Sequence, residues 1–298
     1  MSSGAEKQIR HRVDSLTSTR KRTHATEIFT LAMLPKLRRQ AENAVSYYDG
    51  VLDSLAHIAD TGELRELMAG TTGEGKVLVL VITSSRGMCG PYNRRVFDQL
   101  EEFATTESGA GLDEADFAVL GSKGLQYLER AEANVVLAVE KGLEDISLEE
   151  MADLGTWLLT HSRSGRYRKV CVVYTRYLDA MHSQPTSLRL LPLTPEPRSR
   201  ESDTGPAILD FEGEAADLVT RLVDSYVVGM LYSLLRYSVA SEYSERRKAL
   251  QQASRGIDDE LEATRTQLKH LTMEHRTNAL LEIVNTQSSG GTRRRRNV

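Results

Sequence analysis

The chain has 298 residues, enough for one or two domains, and 38 lysines and arginines against 42 aspartates and glutamates give a net charge of -4. This balance argues against a dedicated nucleic-acid-binding protein, which usually carries a basic face. Two cysteines without CxxC spacing exclude a disulfide framework and a cysteine-rich zinc site, and no apolar run approaches the roughly 18 residues that span a bilayer.

The first predicted element is a long helix over residues 1–62. Apolar residues recur every three or four positions, which is typical of a helix with a narrow apolar seam. Polar residues interrupt the seam at 18–27. Pro35 should kink or locally break the helix, because proline removes one N–H group and clashes with the preceding turn.

The middle of the chain, residues 75–195, reads as a Rossmann-like α/β domain. Short apolar runs rich in β-branched residues predict buried strands at 77–83, 117–121, 134–139 and 169–175, with a further edge strand at 187–193. Helical patterns separate several of them, at 93–103, 122–131 and 147–162. Strands that alternate with helices indicate βαβ units and a mainly parallel sheet.

The last long element is a helix over residues 208–287, and its apolar spacing, which runs over about 212–287, would extend roughly 110 Å if continuous. Such a length favours a coiled coil. The predicted fold class is therefore α/β, with a long antiparallel coiled coil of the N- and C-terminal helices and an inserted Rossmann-like domain. The end of the last helix, 268–284, would project alone and is still apolar in places, so it needs a partner. Residues 288–298, with Arg293–Arg296, read as a basic disordered tail.

No arrangement of side chains predicts catalysis, a cofactor or a metal. The segment GTTGEGK at 70–76 matches the start of a phosphate-binding loop, but Val77 stands where that motif needs Ser or Thr, and the segment precedes its strand. We therefore interpret it as a linker. His270 and His275 are five residues apart and do not share a helix face as a metal-binding pair would.

Several segments, in the same order along the chain, resemble the gamma subunit of rotary F-type ATP synthases. The turn SRGMCGPYN at 85–93 is similar to the family's D-R-G-L-C-G-x-x-N, SEYSERRKALQQAS at 241–254 resembles its S-E-x-x-x-R-M-x-A-M-x-x-A-T, and RTNALLEIV at 276–284 resembles its closing motif. Eight of the matching positions in the first two form a family fingerprint: Arg86, Gly87, Cys89, Gly90, Asn93, Ser241, Glu242 and Arg246.

The resemblance implies a central rotor shaft that couples ion-driven rotation to conformational change in an alpha/beta catalytic ring. The implied partners are the alpha, beta, epsilon and c-ring subunits, with one shaft per complex, no cofactor and no catalytic residues in the chain itself. The implied location is the cytoplasmic side of a bacterial membrane, and residues 1–15 contain no apolar signal core. Expected rotor–stator contacts are Thr23, Glu27, Thr277 and Glu282. The turn is expected to be a structural corner, in which Gly87 and Gly90 permit a tight backbone and Cys89 packs.

The chain also departs from the family pattern, at Arg22, Thr26, Thr272, Ala279 and Pro35, which suggests a divergent branch that could be of the sodium-coupled type. Two alternatives to the shaft remain. One is an unrelated coiled-coil scaffold, which would not explain the ordered motifs. The other is a Rossmann-like enzyme that binds a small molecule, which would need the complete phosphate loop that is missing.

Overall fold

A computed structural model describes residues 4–58, 75–105, 115–179, 182–192 and 215–293. Residues 70–74 of the linker predicted at 70–76 lie outside these ranges. The chain divides into two compact units. Unit 1 contains Met1–Phe29 and Ala249–Val298, and unit 2 contains Thr30–Lys248. Two long helices, α1 (Gly4–Ile58) and α5 (Ala215–Arg293), contribute residues to both units.

Unit 2 contains a five-stranded sheet, which confirms the predicted α/β class. Its strands are β1 (Lys76–Ile82), β2 (Ala115–Leu120), β3 (Asn134–Val139), β4 (Tyr167–Tyr177) and β5 (Ser183–Leu191). The spatial order is β3-β2-β1-β4-β5. The first four strands pair in parallel, and β5 is an antiparallel edge strand. The helices α2 (Tyr92–Phe103), α3 (Ser122–Arg130) and α4 (Leu148–Arg163) connect the strands.

Both faces of the sheet are covered, which explains why β1 is a continuous apolar run. Val77, Val79 and Val81 pack in a cluster with residues of α2 and α3. Leu78, Leu80 and Ile82 point to the other face and join a cluster with α4, α5 and part of α1. A parallel strand that is buried on both faces has no need of alternating polar residues.

The local sequence fixes where α4 begins. Ser147 accepts a hydrogen bond from the backbone N–H of Glu150, and the Glu150 carboxylate accepts one from the backbone N–H of Ser147. This reciprocal capping box satisfies two N–H groups that the first helical turn leaves unpaired. It also positions the short 3₁₀ turn Leu143–Asp145, which immediately precedes it and contributes to the candidate site.

The two long helices differ from the sequence predictions in two details. α1 is one helix across Pro35, so the predicted local break is wrong, whereas the alternative, a kink, stays a prediction. Leu34 and Leu37, on either side of the proline, are buried in the core of unit 2, and this packing holds the helical turn. α5 ends at Arg293, so residues 288–293 are helical rather than part of a disordered tail. Residues 294–298 lie outside the described ranges.

In unit 1, α1 lies beside α5. Arg12 forms an ion pair with Glu260 at 2.5 Å, and Arg20 forms one with Asp258. Residue numbers rise along α1 while those of its partners fall, as expected for an antiparallel pair. Among the side chains of this unit that the structure describes, the buried ones are a mixture of apolar and polar residues: Glu6, Thr23, Leu250, Leu261 and Thr264.

Candidate functional site

The candidate site lies at the carboxyl ends of β1 and β4. These strands are neighbours, and the chain order reverses between them, because β2 and β3 lie on one side of β1 and β4 on the other. Doubly wound sheets bind ligands in the crevice beyond such a switch point. Here nine consecutive buried residues of α5, 238–246, lie against it. The backbone N–H of Thr175 donates to Ser238 Oγ, and Ser241 Oγ donates to the Thr175 carbonyl, both at 3.3 Å.

The turn after β1 is closed by its own side chains. Asn93 Oδ1 accepts a hydrogen bond from the Ser84 N–H at 3.0 Å, and Asn93 Nδ2 donates to Ser84 Oγ at 2.7 Å. The thiol of Cys89 is buried, 3.5 Å from Ser84 Oγ, and Asn93 Nδ2 donates to it at 3.4 Å. Cys89 therefore packs inside the corner, where it is enclosed by polar partners and by the apolar cluster on that face.

The two glycines of this turn have different roles. Gly90 has a φ of 55°, in the left-handed region that favours glycine. Met88 also has a positive φ, 61°, although it is not a glycine. A Cβ atom added to Gly87 would meet no atom within 4 Å, so the expectation that Gly87 is needed for a tight backbone is wrong. Gly87 instead contributes its carbonyl group to a contact with α5.

Glu242 and Arg246 of α5 connect the helix to the turn. Arg246 Nη2 donates to Glu242 Oε1 at 2.6 Å and to the Gly87 carbonyl at 3.4 Å. The Arg246 guanidinium also lies over the Tyr243 ring, 5.1 Å from its centroid. Both charged side chains are almost fully buried. The two halves of the family fingerprint, which are about 150 residues apart in sequence, therefore meet in space.

Sequence reasoning missed two residues of this site, Glu144 and Tyr243. Arg86 pairs with Glu144 at 2.7 Å and with Asp145 at 3.5 Å. The hydroxyl of Tyr243 donates to the same Glu144 carboxylate at 3.0 Å. The 3₁₀ turn Leu143–Asp145 is thus held both to α5 and to the turn after β1, residues 84–93, which we call the opening turn. The acidic pair in front of the Ser147 cap was the one local signal that could have drawn attention to this segment.

The buried groups of the site have shifted pKa values. Burial raises the pKa of Glu242 to about 7, and the charge and hydrogen bond of Arg246 only partly offset this effect. Burial acts to lower the pKa of Arg246, but the Glu242 carboxylate outweighs it and the pKa is raised. Burial, and then the charge of Glu242, raise the pKa of Tyr92. Both Glu242 and Arg246 therefore hold protons more firmly here than in water.

The four residues expected to contact a stator lie in unit 1, in different environments. Thr23 is only 4% exposed, so its side chain faces inwards and cannot reach an outside partner. Glu27 is half-buried, and its carboxylate lies 3.9 Å from His24. Thr277 and Glu282 are exposed on α5. Five large exposed apolar residues belong to the same stretch of helix: Met273, Leu280, Leu281, Ile283 and Val284.

The described residues contain neither a candidate membrane span nor a candidate metal site. No helix within ranges 4–58 and 215–293, or elsewhere in the described chain, is both long and apolar enough to cross a membrane. In the same part of the chain, no group of three or more His, Cys, Asp or Glu side chains is arranged to hold a metal ion.

Comparison with known proteins agrees with the fold and the fingerprint. A family model described as ATP synthase matches residues 5–289. The chain belongs to the gamma-chain family of ATP synthases. The ATP synthase gamma chain of Gluconobacter oxydans is 29% identical over 288 residues, which covers 93% of this chain and 97% of the relative. The sodium-ion-specific gamma chain of Acetobacterium woodii is 25% identical over 296 residues, covering 93% and 95%.

Solved structures share the fold at lower sequence identity. A chain of the Euglena gracilis mitochondrial ATP synthase, in a structure of OSCP, F1 and c-ring, aligns with a TM-score of 0.67 and 15% identity, covering 99% of this chain and 97% of that one. A chain of the Tetrahymena thermophila central stalk and c-ring aligns with a TM-score of 0.58 and 18% identity, covering 78% and 99%. The arrangement of two long helices around a small sheet domain is therefore that of known ATP synthase subunits.

Proposed function

We propose that the chain is the central rotor shaft of an ATP synthase and that it couples rotation of an ion-driven ring to conformational change in the catalytic alpha and beta subunits. Its relatives are named gamma chains, and the solved structures of the same fold are described as central stalk and rotor. In this role the chain needs no reactive group of its own, because the chemistry occurs in the subunits whose conformations it biases through differential contacts.

The observation that carries this proposal is an apolar stripe near the end of α5. Successive residues of a helix are rotated by about 100°. Met273, Thr277, Leu280, Leu281 and Val284 therefore fall on one face. The apolar members are between 55% and 63% exposed in this chain. Exposed apolar surface of this kind marks a contact with another protein.

The partner is proposed to surround the helix rather than to cover one side of it. Thr277 lies within the apolar stripe, whereas Glu282 is rotated by about 180° from Met273 on the same helix. Both residues are exposed. A ring of alpha and beta subunits would contact both faces in turn. Glu27 of α1 is kept as a further stator-facing residue, and Thr23, which is buried, is assigned to packing inside unit 1.

The remaining partners follow from the same role. We propose that the epsilon subunit and the c-ring bind the chain, that each complex contains one copy, and that the complex holds the chain at the cytoplasmic side of the membrane. The support for these assignments is membership of the family and the shared fold.

The proposal is tested by co-expression with the alpha and beta subunits of the same organism, followed by size-exclusion chromatography and an ATP hydrolysis assay. We expect a complex with one shaft for six large subunits. Deleting residues 268–298 should remove the apolar stripe and lower hydrolysis by the complex, whereas deleting only 286–298 keeps the stripe and should have a smaller effect. A free monomer that leaves the assembly and activity of the ring unchanged would refute the shaft.

A further inference from the structure

Glu242 is a buried carboxylate whose second oxygen has no hydrogen-bond donor. The residue is 2% exposed. Its Oε1 atom accepts the hydrogen bond from Arg246, but Oε2 is buried and has no partner among the described residues. An ionised carboxylate in a protein interior normally accepts several hydrogen bonds, because burying a charge without them is costly. The site is therefore poorly built for a permanent negative charge.

Asp116, at the amino-terminal edge of the same sheet, shows what a well-supported buried carboxylate looks like. It accepts hydrogen bonds from Lys76 at 3.1 Å, from Asn134 at 2.8 Å and from the Tyr167 hydroxyl at 3.0 Å. Burial acts to raise its pKa, but these three donors outweigh burial and the pKa is lowered. Glu242 has one donor residue instead of three, so burial outweighs the hydrogen bonding and the pKa is raised.

Charged groups on α5, in the turn after β1 and in the 3₁₀ turn act on the charge of Glu242. Arg246 and, more weakly, Arg86 favour the ionised form, whereas the neighbouring carboxylate of Glu144 opposes it. Two arginines thus face two glutamates in this cluster. Further titratable or polar groups near this cluster include Tyr243 on α5, Cys89 in the turn after β1, Tyr92 on α2 and Thr175 on β4.

The surroundings of Glu242 also contain oxygens that can accept a hydrogen bond from a neutral acid. The hydroxyl of Tyr92 and Oγ1 of Thr175 are buried and make no hydrogen bond of good geometry with the described residues. Thr175 and Ser238 are nevertheless near enough to the Tyr92 hydroxyl to act on its pKa, as is the Glu242 charge. A protonated Oε2 would have hydroxyl oxygens in the same crevice as acceptors, whereas no described residue donates a hydrogen bond to Oε2 in the structure.

We propose that Glu242 is a proton-binding site of the folded protein that sets how firmly α5 holds the opening turn. In the ionised form, the carboxylate pairs with Arg246, which also donates to the Gly87 carbonyl. When Oε2 takes a proton from solvent, the carboxylate becomes a neutral acid and the cluster gains one positive charge. Arg246 then keeps the Gly87 carbonyl but loses its charged partner. The contact between the turn and the helix therefore changes with pH close to neutrality.

The test is a pH titration of the full chain with ¹³C-labelled glutamate carboxyl groups, followed by NMR. Glu242→Gln identifies the Glu242 signal by its disappearance. We expect the wild-type signal to titrate with a midpoint near pH 7. The matched control is Glu245→Gln, which removes a similarly buried carboxylate from the same helix, and it should retain both the signal and its midpoint. A midpoint below about pH 5.5, nearer the ordinary range of glutamate, overturns the proposal.

Two neighbouring substitutions give a readout that a purely structural role would not produce. Arg246→Met removes the charge that favours the carboxylate and should move the midpoint upwards. Glu144→Gln removes the charge that opposes it and should move the midpoint downwards. Shifts in the same direction, or none in either variant, contradict the proposal. If Arg246→Met does not fold, the wild-type titration and Glu144→Gln still decide. The result does not depend on the rotor function, because it concerns the chain alone.

Discussion

Residues 223–246 and 273–284 belong to the same helix, α5, but their surroundings differ. The first stretch packs on the sheet of unit 2 and is buried almost all round, including its charged residues Glu242 and Arg246. The second stretch, in unit 1, exposes several large apolar side chains. A helix that is apolar in both places and covered in only one of them points to a partner outside the chain for the other. We call residues 223–246 the covered stretch and residues 273–284 the uncovered stretch. The covered stretch stabilises the fold, and the uncovered stretch is available to bind another protein.

The largest effect is expected for a truncation in the covered stretch. Leu235→Ala removes a fully buried side chain from the core of unit 2 and should lower the free energy of unfolding by about 2–5 kcal/mol. The matched variant Leu280→Ala, on the uncovered stretch, should change it by less than about 0.5 kcal/mol. Urea denaturation of the full chain measures both. Equal losses in the two variants would show that the stretches do not differ.

The covered stretch should also make stability depend on pH. Glu242 has a folded-state pKa of about 7 against 4.5 in its unperturbed form, so folding is linked to proton binding. Its contribution is fully present below about pH 4.5 and is lost as the pH rises through 7. We expect Glu242→Gln to flatten the fall in unfolding free energy between pH 5 and pH 8, by an amount on the order of 1–3 kcal/mol.

The control for this pH dependence lies on the uncovered stretch. Glu274→Gln removes an exposed carboxylate from the same helix and should leave the wild-type profile unchanged. Denaturation of the three proteins at pH 5, 6, 7 and 8 supplies the comparison. Two results would show that Glu242 does not cause the pH dependence. One is a wild-type unfolding free energy that rises with pH over this range, and the other is a Glu242→Gln curve that parallels the wild-type curve.

The uncovered stretch should matter for association rather than for folding. Replacing Leu280, Leu281 and Val284 together by Ser removes most of the apolar stripe. We expect affinity for the alpha/beta ring to fall by about tenfold to a hundredfold, the effect of losing one or more central contacts. The control is Asn278→Ser with Ala279→Ser, which alters exposed positions outside the stripe. Surface plasmon resonance measures the affinity of both variants for the ring. Equal affinities would show that the stripe does not contribute to binding.

How far the sequence predicts this molecule depends on how local each signal is. The run VLVLVI of β1 could be assigned because a strand buried on both faces must be apolar throughout. The contact of Arg86 with Glu144 could not, because the two residues are 58 positions apart and no periodicity relates them. Thr23 is expected from the sequence to contact a stator because it lies where polar residues interrupt the apolar seam at 18–27, but the helix pair of unit 1 buries it. Residue type gives the average environment, whereas pairing between distant segments decides the actual one.

The smallest effect is expected from replacing two glycines by alanine. Gly256 lies in α5, and Gly155 lies in α4, the helix that packs against the covered stretch of α5. A Cβ atom added to Gly256, in the part of α5 that belongs to unit 1, meets nothing within 4 Å. Gly256→Ala should therefore raise the free energy of unfolding by about 0.5–1 kcal/mol, because alanine has the higher helix propensity. Gly155→Ala, in α4, would place its Cβ atom 2.9 Å from Val228 of α5 and should destabilise the chain instead. Thermal unfolding of both variants tests the difference in sign. A gain in stability for Gly155→Ala would mean that α4 and α5 can separate at little cost, and it would weaken the argument that 223–246 is the tightly packed part of the helix.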